Sequence, residues 1–543
     1  MFEVGRDIAR LAKNPPEKTA GLKRLRFIHI IVLVCIAIFA GRTLYLGAIG
    51  IDARRYDTNA ATWVASRADI VDRSGDILAK NIMSGDIVLR PPLVRDADAV
   101  ASLIHDVIPE ISVSDALELT RDSRRFLYVK KLATERQRAQ IKAAKIPGLD
   151  AEEVEQRRYP KRRMFSHVIG FVGAEMNGLE GVEKTRDKYL SENTDALVLS
   201  VDSRVQAAMY SELAGAVQKY SALGAMGILM NSRTGEIIAM VSLPDFDPEN
   251  IKSDADSNRM FRPSRGVFEM GSIFKIFNTA MAIENGIGLD HRYYVGKPFQ
   301  VMARGRVAHT VNDVATFKPF KIHADGKLSV AEIMVQSCNA GSAQIALDLS
   351  DGVQQEFFRR LKMDQALDLE FGRTERPLWP QKWGPVERAT ISYGHGMSVT
   401  PMHTLLAVNA LVNGGIYIEP TLFKRGAGAV TGTRVVDAKT SAELRKIMFD
   451  VAETTSARAA RVAGINVGGK TATAEKWFNG KIDRRRNLTA FVGAFPIESP
   501  QYTILIVLDE PKGTEESWGL RTAAWNAVPT AGKILDSVLP MLF

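Results

Sequence analysis

Ser272 and Lys275 stand three residues apart in Gly271-Ser272-Ile273-Phe274-Lys275-Ile276-Phe277, the only S-x-x-K in the chain. A serine hydroxyl is a poor nucleophile until a base takes its proton. On a helix, residue i+3 lies over the same face as residue i, one turn on. A helix opening near Ser272 therefore brings the Lys275 amine to the hydroxyl. Gly271 in front, and Ile273, Phe274, Ile276, Phe277, Ala280 and Met281 behind, predict such a buried helix. Desolvation among Ile and Phe side chains disfavours an ammonium, so Lys275 is suited to lose its proton and act as the base. Taken alone, the same four residues also fit an ordinary buried helix whose lysine reaches up to the surface.

Two later motifs bear on that choice. Ser337-Cys338-Asn339 is an S-x-N, and Lys470-Thr471-Ala472-Thr473 is close to K-T-G-T. The intervals are 337 − 272 = 65 and 470 − 337 = 133 residues. The ordered set S-x-x-K, S-x-N, K-T-x resembles the penicillin-binding protein and serine β-lactamase superfamily. The resemblance implies an acyl transfer in which Lys275 deprotonates Ser272, Ser337 relays the proton, Asn339 orients Lys275 and the peptide, and Lys470 supports Ser337 and the substrate carboxylate. It also implies that Thr471 and Thr473 bind that carboxylate, and that the backbone N–H groups of Ser272 and Thr473 form the oxyanion hole. Alanine at 472, where the family has glycine, predicts a mild narrowing beside the strand. Cys338 reads as a small buried filler and not a nucleophile. His395, in Gly394-His395-Gly396, reads as structural.

A chain of 543 residues predicts two or three domains. A hydrophobic fraction of 46% with 24% charged residues is a globular composition. Two cysteines and eight histidines without paired metal-ligand spacing predict no metal site, and no cofactor is implied. Residues 1–26 carry seven basic and three acidic side chains, so +4 of the formal +9 sits in that head. The remainder shows no basic stripe, which argues against nucleic acid as a partner, and Arg484-Arg485-Arg486 reads as a solvated turn.

The basic head precedes the apolar run Phe27–Ala40, which continues less cleanly through Ile49 with Arg42 inside it. We read residues 1–24 as a cytoplasmic tail and 25–50 as a single membrane anchor. A cleaved signal peptide ending near Ala48-Ile49-Gly50 and a buried soluble helix are the alternatives. With the anchor, everything beyond about residue 50 lies outside the cytoplasm, and the resemblance implies the periplasmic side of a bacterial inner membrane.

Arg67-Ala68-Asp69-Ile70-Val71-Asp72-Arg73-Ser74-Gly75 puts turn chemistry between two strand-like runs. Residues 96–146 read as helical. Arg158-Tyr159-Pro160, His167–Gly170 and Gly178-Leu179-Glu180-Gly181-Val182-Glu183 follow. These clusters resemble the pedestal of class B penicillin-binding proteins, with Ala68 where that family has glycine. Arg67, Asp72, Arg73, Glu180 and Glu183 read as surface ion pairs or inter-domain bridges. A seam near 195–225 leads into a helix capped by Asp202 or Ser203, then a hairpin over 227–241. Two strands, 487–496 and 502–511, and a last helix, 523–542, close the chain. The expected fold is multidomain: the anchor, an α+β pedestal over 51–222, and an α/β serine transpeptidase domain over 223–543 with a central antiparallel sheet flanked by helices.

The short pedestal and the Gly-x-Glu-Gly-x-Glu cluster look most like the division-specific, FtsI-type members. The resemblance then implies a peptidoglycan D,D-transpeptidase acting on stem peptides at the septum and acylated by β-lactams. Its implied partners are an FtsW-type glycosyltransferase and other divisome membrane proteins. An elongation-type transpeptidase, a hydrolase, and a catalytically impaired scaffold or β-lactam sensor remain the competing readings.

Overall fold

The computed structural model describes residues 67–313, 322–426 and 430–543, with short helical pieces at 30–34, 36–37 and 40–41. The tail and most of the expected anchor lie outside the described residues. Among the described residues no helix is long and apolar enough to cross a membrane. The chain divides into a unit 1–64 and a second, 65–543, which carries everything below.

Five strands form the central sheet, in the order Gly468–Phe478, Lys481–Phe495, Tyr502–Asp509, Gly224–Asn231, Ile237–Leu243. Every neighbouring pair is antiparallel. Side chains alternate faces along a strand, and the sequence uses both faces. Ile504, Ile506, Leu508, Phe491 and Leu229 pack against the helices Ser203–Lys219 and Ala527–Leu542. Leu505, Val507, Ala490, Val492 and Ile228 pack on the other side, in a core that includes Phe274, Phe277 and Leu405. A sheet covered on both faces reads as near-continuous apolar runs, as in Tyr502–Asp509, where every residue after Tyr502 is buried. The expected hairpin is present, with its turn at Ser232–Glu236. Asp202 caps the following helix by accepting the Arg204 N–H.

The Arg67–Val198 region builds its own sheet around the thirteen-residue strand Ile77–Leu89. That strand pairs with Ile70–Val71, Leu127–Ala133 and Leu149–Arg158. Two sequence expectations need correction here and at the sheet edge. The 96–146 stretch holds three helices, Ala97–Val107, Val113–Thr120 and Glu135–Ala144, but also the strand Leu127–Ala133. The two lysines in Leu-Tyr-Val-Lys-Lys-Leu-Ala mask a β-type run that is satisfied only by pairing with a distant strand. Arg484–Arg486 belong to the strand Lys481–Phe495, whose turn lies earlier, at Asn479-Gly480.

Of the two readings of the Arg67, Asp72, Arg73, Glu180 and Glu183 charges, surface ion pairs or inter-domain bridges, the interior position of most of them fits the second. Glu183 is 0% exposed and lies 2.7 Å from both Arg67 and Arg157. Arg67 also reaches Asp187 at 2.7 Å, so four charges knit non-adjacent segments together. Asp72 accepts the N–H groups of Ser74, Asp76 and Ser203, which ties the first turn of this region to the start of the Ser203–Lys219 helix. Burial alone would raise its pKa, yet those hydrogen bonds hold it below the usual carboxylate range. Arg73 meets Glu236 in the sheet hairpin at 3.3 Å, and so bridges to the central sheet. Glu180 is half-buried, and burial raises its pKa.

Candidate active site

A 3-10 turn, Gly271–Ile273, runs into the helix Phe274–Glu284, so Ser272 sits where the helix begins. The turn is placed by backbone contact with the segment around Gly394. A Cβ on Gly394 would stand 1.9 Å from the Gly271 carbonyl oxygen, and its φ is +92°. Only glycine allows that approach. The same segment is stitched in place nearby: Phe268 and Val399 exchange two backbone hydrogen bonds of 2.9 Å. The Gly396 N–H donates to Glu269 at 2.7 Å. A Cβ on Gly271 would lie 3.3 Å from the Thr473 carbonyl oxygen, so the turn rests directly against the edge strand of the sheet.

Lys275 is 1% exposed. Its Nζ lies 2.8 Å from Ser272 Oγ, 2.6 Å from Asn339 Oδ1 and 3.3 Å from Ser337 Oγ. Burial pushes its pKa down to about 8, against the opposing pull of Asp313 and Cys338. A neutral lysine amine has two N–H donors and one lone pair. Asn339 Oδ1 can only accept, so it takes one N–H. With the second N–H on Ser337, the lone pair faces the Ser272 hydroxyl.

Ser337 ends the helix Val330–Gln336 with φ +62°, a left-handed conformation that a non-glycine residue keeps only when its surroundings enforce it. That turn throws its hydroxyl between two lysines, because Lys470 Nζ lies 3.1 Å away. Lys470 is also 1% exposed, and burial, then the charge of Lys275, drives its pKa well down. Two ammonium groups sharing one hydroxyl repel each other, which disfavours the doubly charged pair. Asn339 opens the helix Asn339–Asp348.

Strand alternation sorts the K-T-x-T residues. Lys470, Ala472 and Ala474 point into the interior, while Thr471 and Thr473 are only half-buried on the other face. Ala472 is 4% exposed and belongs to the core. Its methyl group fills the space beneath the strand on the Lys470 side. Thr473 Oγ1 accepts the Ala523 N–H at 3.0 Å, which leaves its own proton free to donate. Gly468–Phe478 is the sheet's edge strand, so half of its backbone polar groups face away from the sheet.

All five residues expected to do chemistry thus converge on one point, with Thr471 and Thr473 on the adjoining strand. Cys338 is buried, and burial and Asp313 push its thiol up to about 12, far from a nucleophilic thiolate. His395 is held neutral, lowered to about 4 by burial and by Lys275. Sequence reasoning passed over Asp313, which accepts N–H groups from Asn339 and Ala340. Nothing local marks it, because its partners come 26 and 27 residues later. It also passed over the role of Gly394, which is defined by a carbonyl more than a hundred residues away.

The family description "Penicillin binding protein transpeptidase domain" matches residues 225–530, more than half of the chain. The chain belongs to the penicillin-binding protein transpeptidase family. A penicillin-binding protein dimerisation domain matches residues 62–204, the region built around Ile77–Leu89. Among similar proteins, the probable peptidoglycan D,D-transpeptidase FtsI of Caulobacter vibrioides is 32% identical, over 88% of this chain and 81% of its own length. The peptidoglycan D,D-transpeptidase FtsI of Escherichia coli is 26% identical, over 94% of this chain and 90% of its own length. Stage V sporulation protein D of Bacillus subtilis is 29% identical, over 88% and 78%. A crystal structure of a peptidoglycan synthetase from Bifidobacterium adolescentis shares the fold, with a TM-score of 0.65, 20% identity, and coverage of 88% of this chain and 95% of that one. In this chain Ser272, Ser337 and Asn339 meet at Lys275, and Lys470 joins them through the Ser337 hydroxyl.

Proposed function

We propose that this chain is a serine D,D-transpeptidase that cross-links peptidoglycan stem peptides through an acyl-enzyme on Ser272. The observation that carries the reading is the position of Lys275 Nζ, 2.8 Å from Ser272 Oγ and anchored by Asn339. Lys275 takes the Ser272 proton, and Oγ attacks the carbonyl of the penultimate D-alanine. The developing oxyanion is met by the backbone N–H groups of Ser272 and Thr473. Ser337 has both lone pairs engaged by Lys275 and Lys470, so its O–H protonates the leaving D-alanine while the proton that Lys275 took from Ser272 passes on to Ser337 Oγ. An amine from a neighbouring stem peptide then attacks the ester, and Ser272 regains its proton. Thr471, Thr473 and the charge of Lys470 bind the substrate carboxylate. β-Lactams enter as mimics of the same substrate and stop at the acyl-enzyme.

The FtsI names of the Caulobacter and Escherichia relatives support a septal role. Residues 51–222 serve as the pedestal and 223–543 as the catalytic domain. Residues 25–50 anchor the chain in the inner membrane, with 1–24 cytoplasmic and the catalytic domain periplasmic. An FtsW-type glycosyltransferase and other divisome membrane proteins are the partners this arrangement fits.

Labelling with a fluorescent penicillin tests the chemistry. Wild type is expected to form a stable covalent adduct that Ser272→Ala cannot form. Failure of the wild type to label removes the enzyme reading, and rapid turnover without an adduct turns it into a hydrolase.

A further inference from the structure

Asp313 reaches the Ser337–Asn339 turn from a side that none of the three motifs occupies. Its carboxylate accepts the Asn339 N–H, and the Ala340 N–H at 3.3 Å, and the Cys338 thiol lies 3.4 Å from Oδ2. These N–H groups open the helix Asn339–Asp348 and have no partner within it, in the place where negative charge is favoured. The left-handed Ser337 immediately precedes this clamp. We propose that Asp313 is a positioning residue for acyl transfer: it locks the turn that presents Ser337 and Asn339 to Lys275, and it sets a negative charge beside Lys275. This rests on the reading of Ser272 as the nucleophile.

The surroundings of Lys275 single out that charge. Among the described residues, the ionisable groups around it are Asp313, Cys338, Lys470, Tyr393 and His395. Burial keeps Cys338 and Tyr393 neutral, each raised to about 12, and keeps His395 neutral, lowered to about 4. Of the two groups that pull the Lys275 pKa back upward, Asp313 is the larger and Cys338 the lesser. Asp313 favours the protonated amine, so removing its charge lets Lys275 lose its proton at lower pH.

The test is the rate constant for acylation of the full chain by a fluorescent penicillin between pH 5 and 9.5, for wild type, Asp313→Asn and Asp313→Glu. In Asp313→Asn the rise of the rate with pH is expected to move acidward by about half to one pH unit. Its plateau should drop about tenfold or more, because the two N–H groups bind different carboxylate oxygens and an amide keeps only one of them as an acceptor. Asp313→Glu should restore the midpoint and only part of the plateau. A midpoint in Asp313→Asn equal to that of wild type overturns the proposal, even if the plateau or the melting temperature falls. If wild type is not acylated at all, the Ser272 reading fails instead. The titration of the Lys275 Cε resonance, assigned by its loss in Lys275→Met, then decides the Asp313 proposal: an acidward move in Asp313→Asn upholds it and an unmoved titration overturns it.

Discussion

Replacing Ala472 with glycine restores the residue usual in this family and asks which side of the strand its methyl group serves. The side chain is 4% exposed, on the same face as Lys470 and Ala474, within the main core. Removing one buried methyl group costs about 0.8 kcal/mol. Glycine in a strand costs roughly a further 0.5–1 kcal/mol in backbone entropy. The variant is therefore expected to lose about 1–2 kcal/mol, read as a melting temperature lower by about 2–4 °C. Thr471 and Thr473 stay on the opposite face and Lys470 keeps its contact with Ser337. The rate of acylation by a fluorescent penicillin should then stay within about threefold of wild type, well under the tenfold that 1.36 kcal/mol represents. A rise of tenfold or more with an unchanged melting temperature would refute the reasoning, because it would place the methyl group in the path of the substrate.

Lys275 gives a pH signature in stability as well as in rate. Its pKa falls from the usual 10.5 to about 8 in the fold, so between those values the unfolded chain binds more protons and stability rises with pH, by about 3 kcal/mol in total. Urea unfolding at pH 7.5 and 10.5 should show that gain in wild type and a smaller one in Lys275→Met. Gly394→Ala forces a Cβ to within 1.9 Å of the Gly271 carbonyl at φ +92°. Displacement of the Ser272 turn should cut acylation about a hundredfold or more, and a fully active variant would remove the role given to that contact. Glu183→Gln leaves Arg67 and Arg157 facing an amide in the interior. It should cost about 3–5 kcal/mol in chemical denaturation, while the folded fraction still labels with penicillin.

Much of the fold was legible because local rules and tertiary needs agree. The hairpin expected over 227–241, the strand Tyr502–Asp509 and most of the last helix appear where apolar runs and turn residues put them, whereas the strand expected from 487 begins at Lys481. The strand Leu127–Ala133 was not, since its polar residues carry no strand signal until Ile77–Leu89 is beside it. Arg67 and Glu183 could be read either as surface pairs or as inter-domain bridges because a sequence shows residue type but not burial, and Glu183 is sealed between two guanidinium groups.

The sequence by itself determined the chemical inventory. It set a serine and a lysine at helical spacing, two partner motifs in a fixed order, and an apolar setting that makes a neutral lysine reasonable. Tertiary structure alone decided how those parts meet. Three segments separated by 65 and 133 residues bring Lys275 and Lys470 to one Ser337 hydroxyl, and Asp313 and Gly394 hold the surrounding turns through backbone contacts. The reason is physical. Local spacing specifies which neighbours share a helix face or a strand face, whereas desolvation, charge repulsion and close backbone approach depend on what the rest of the chain packs against them.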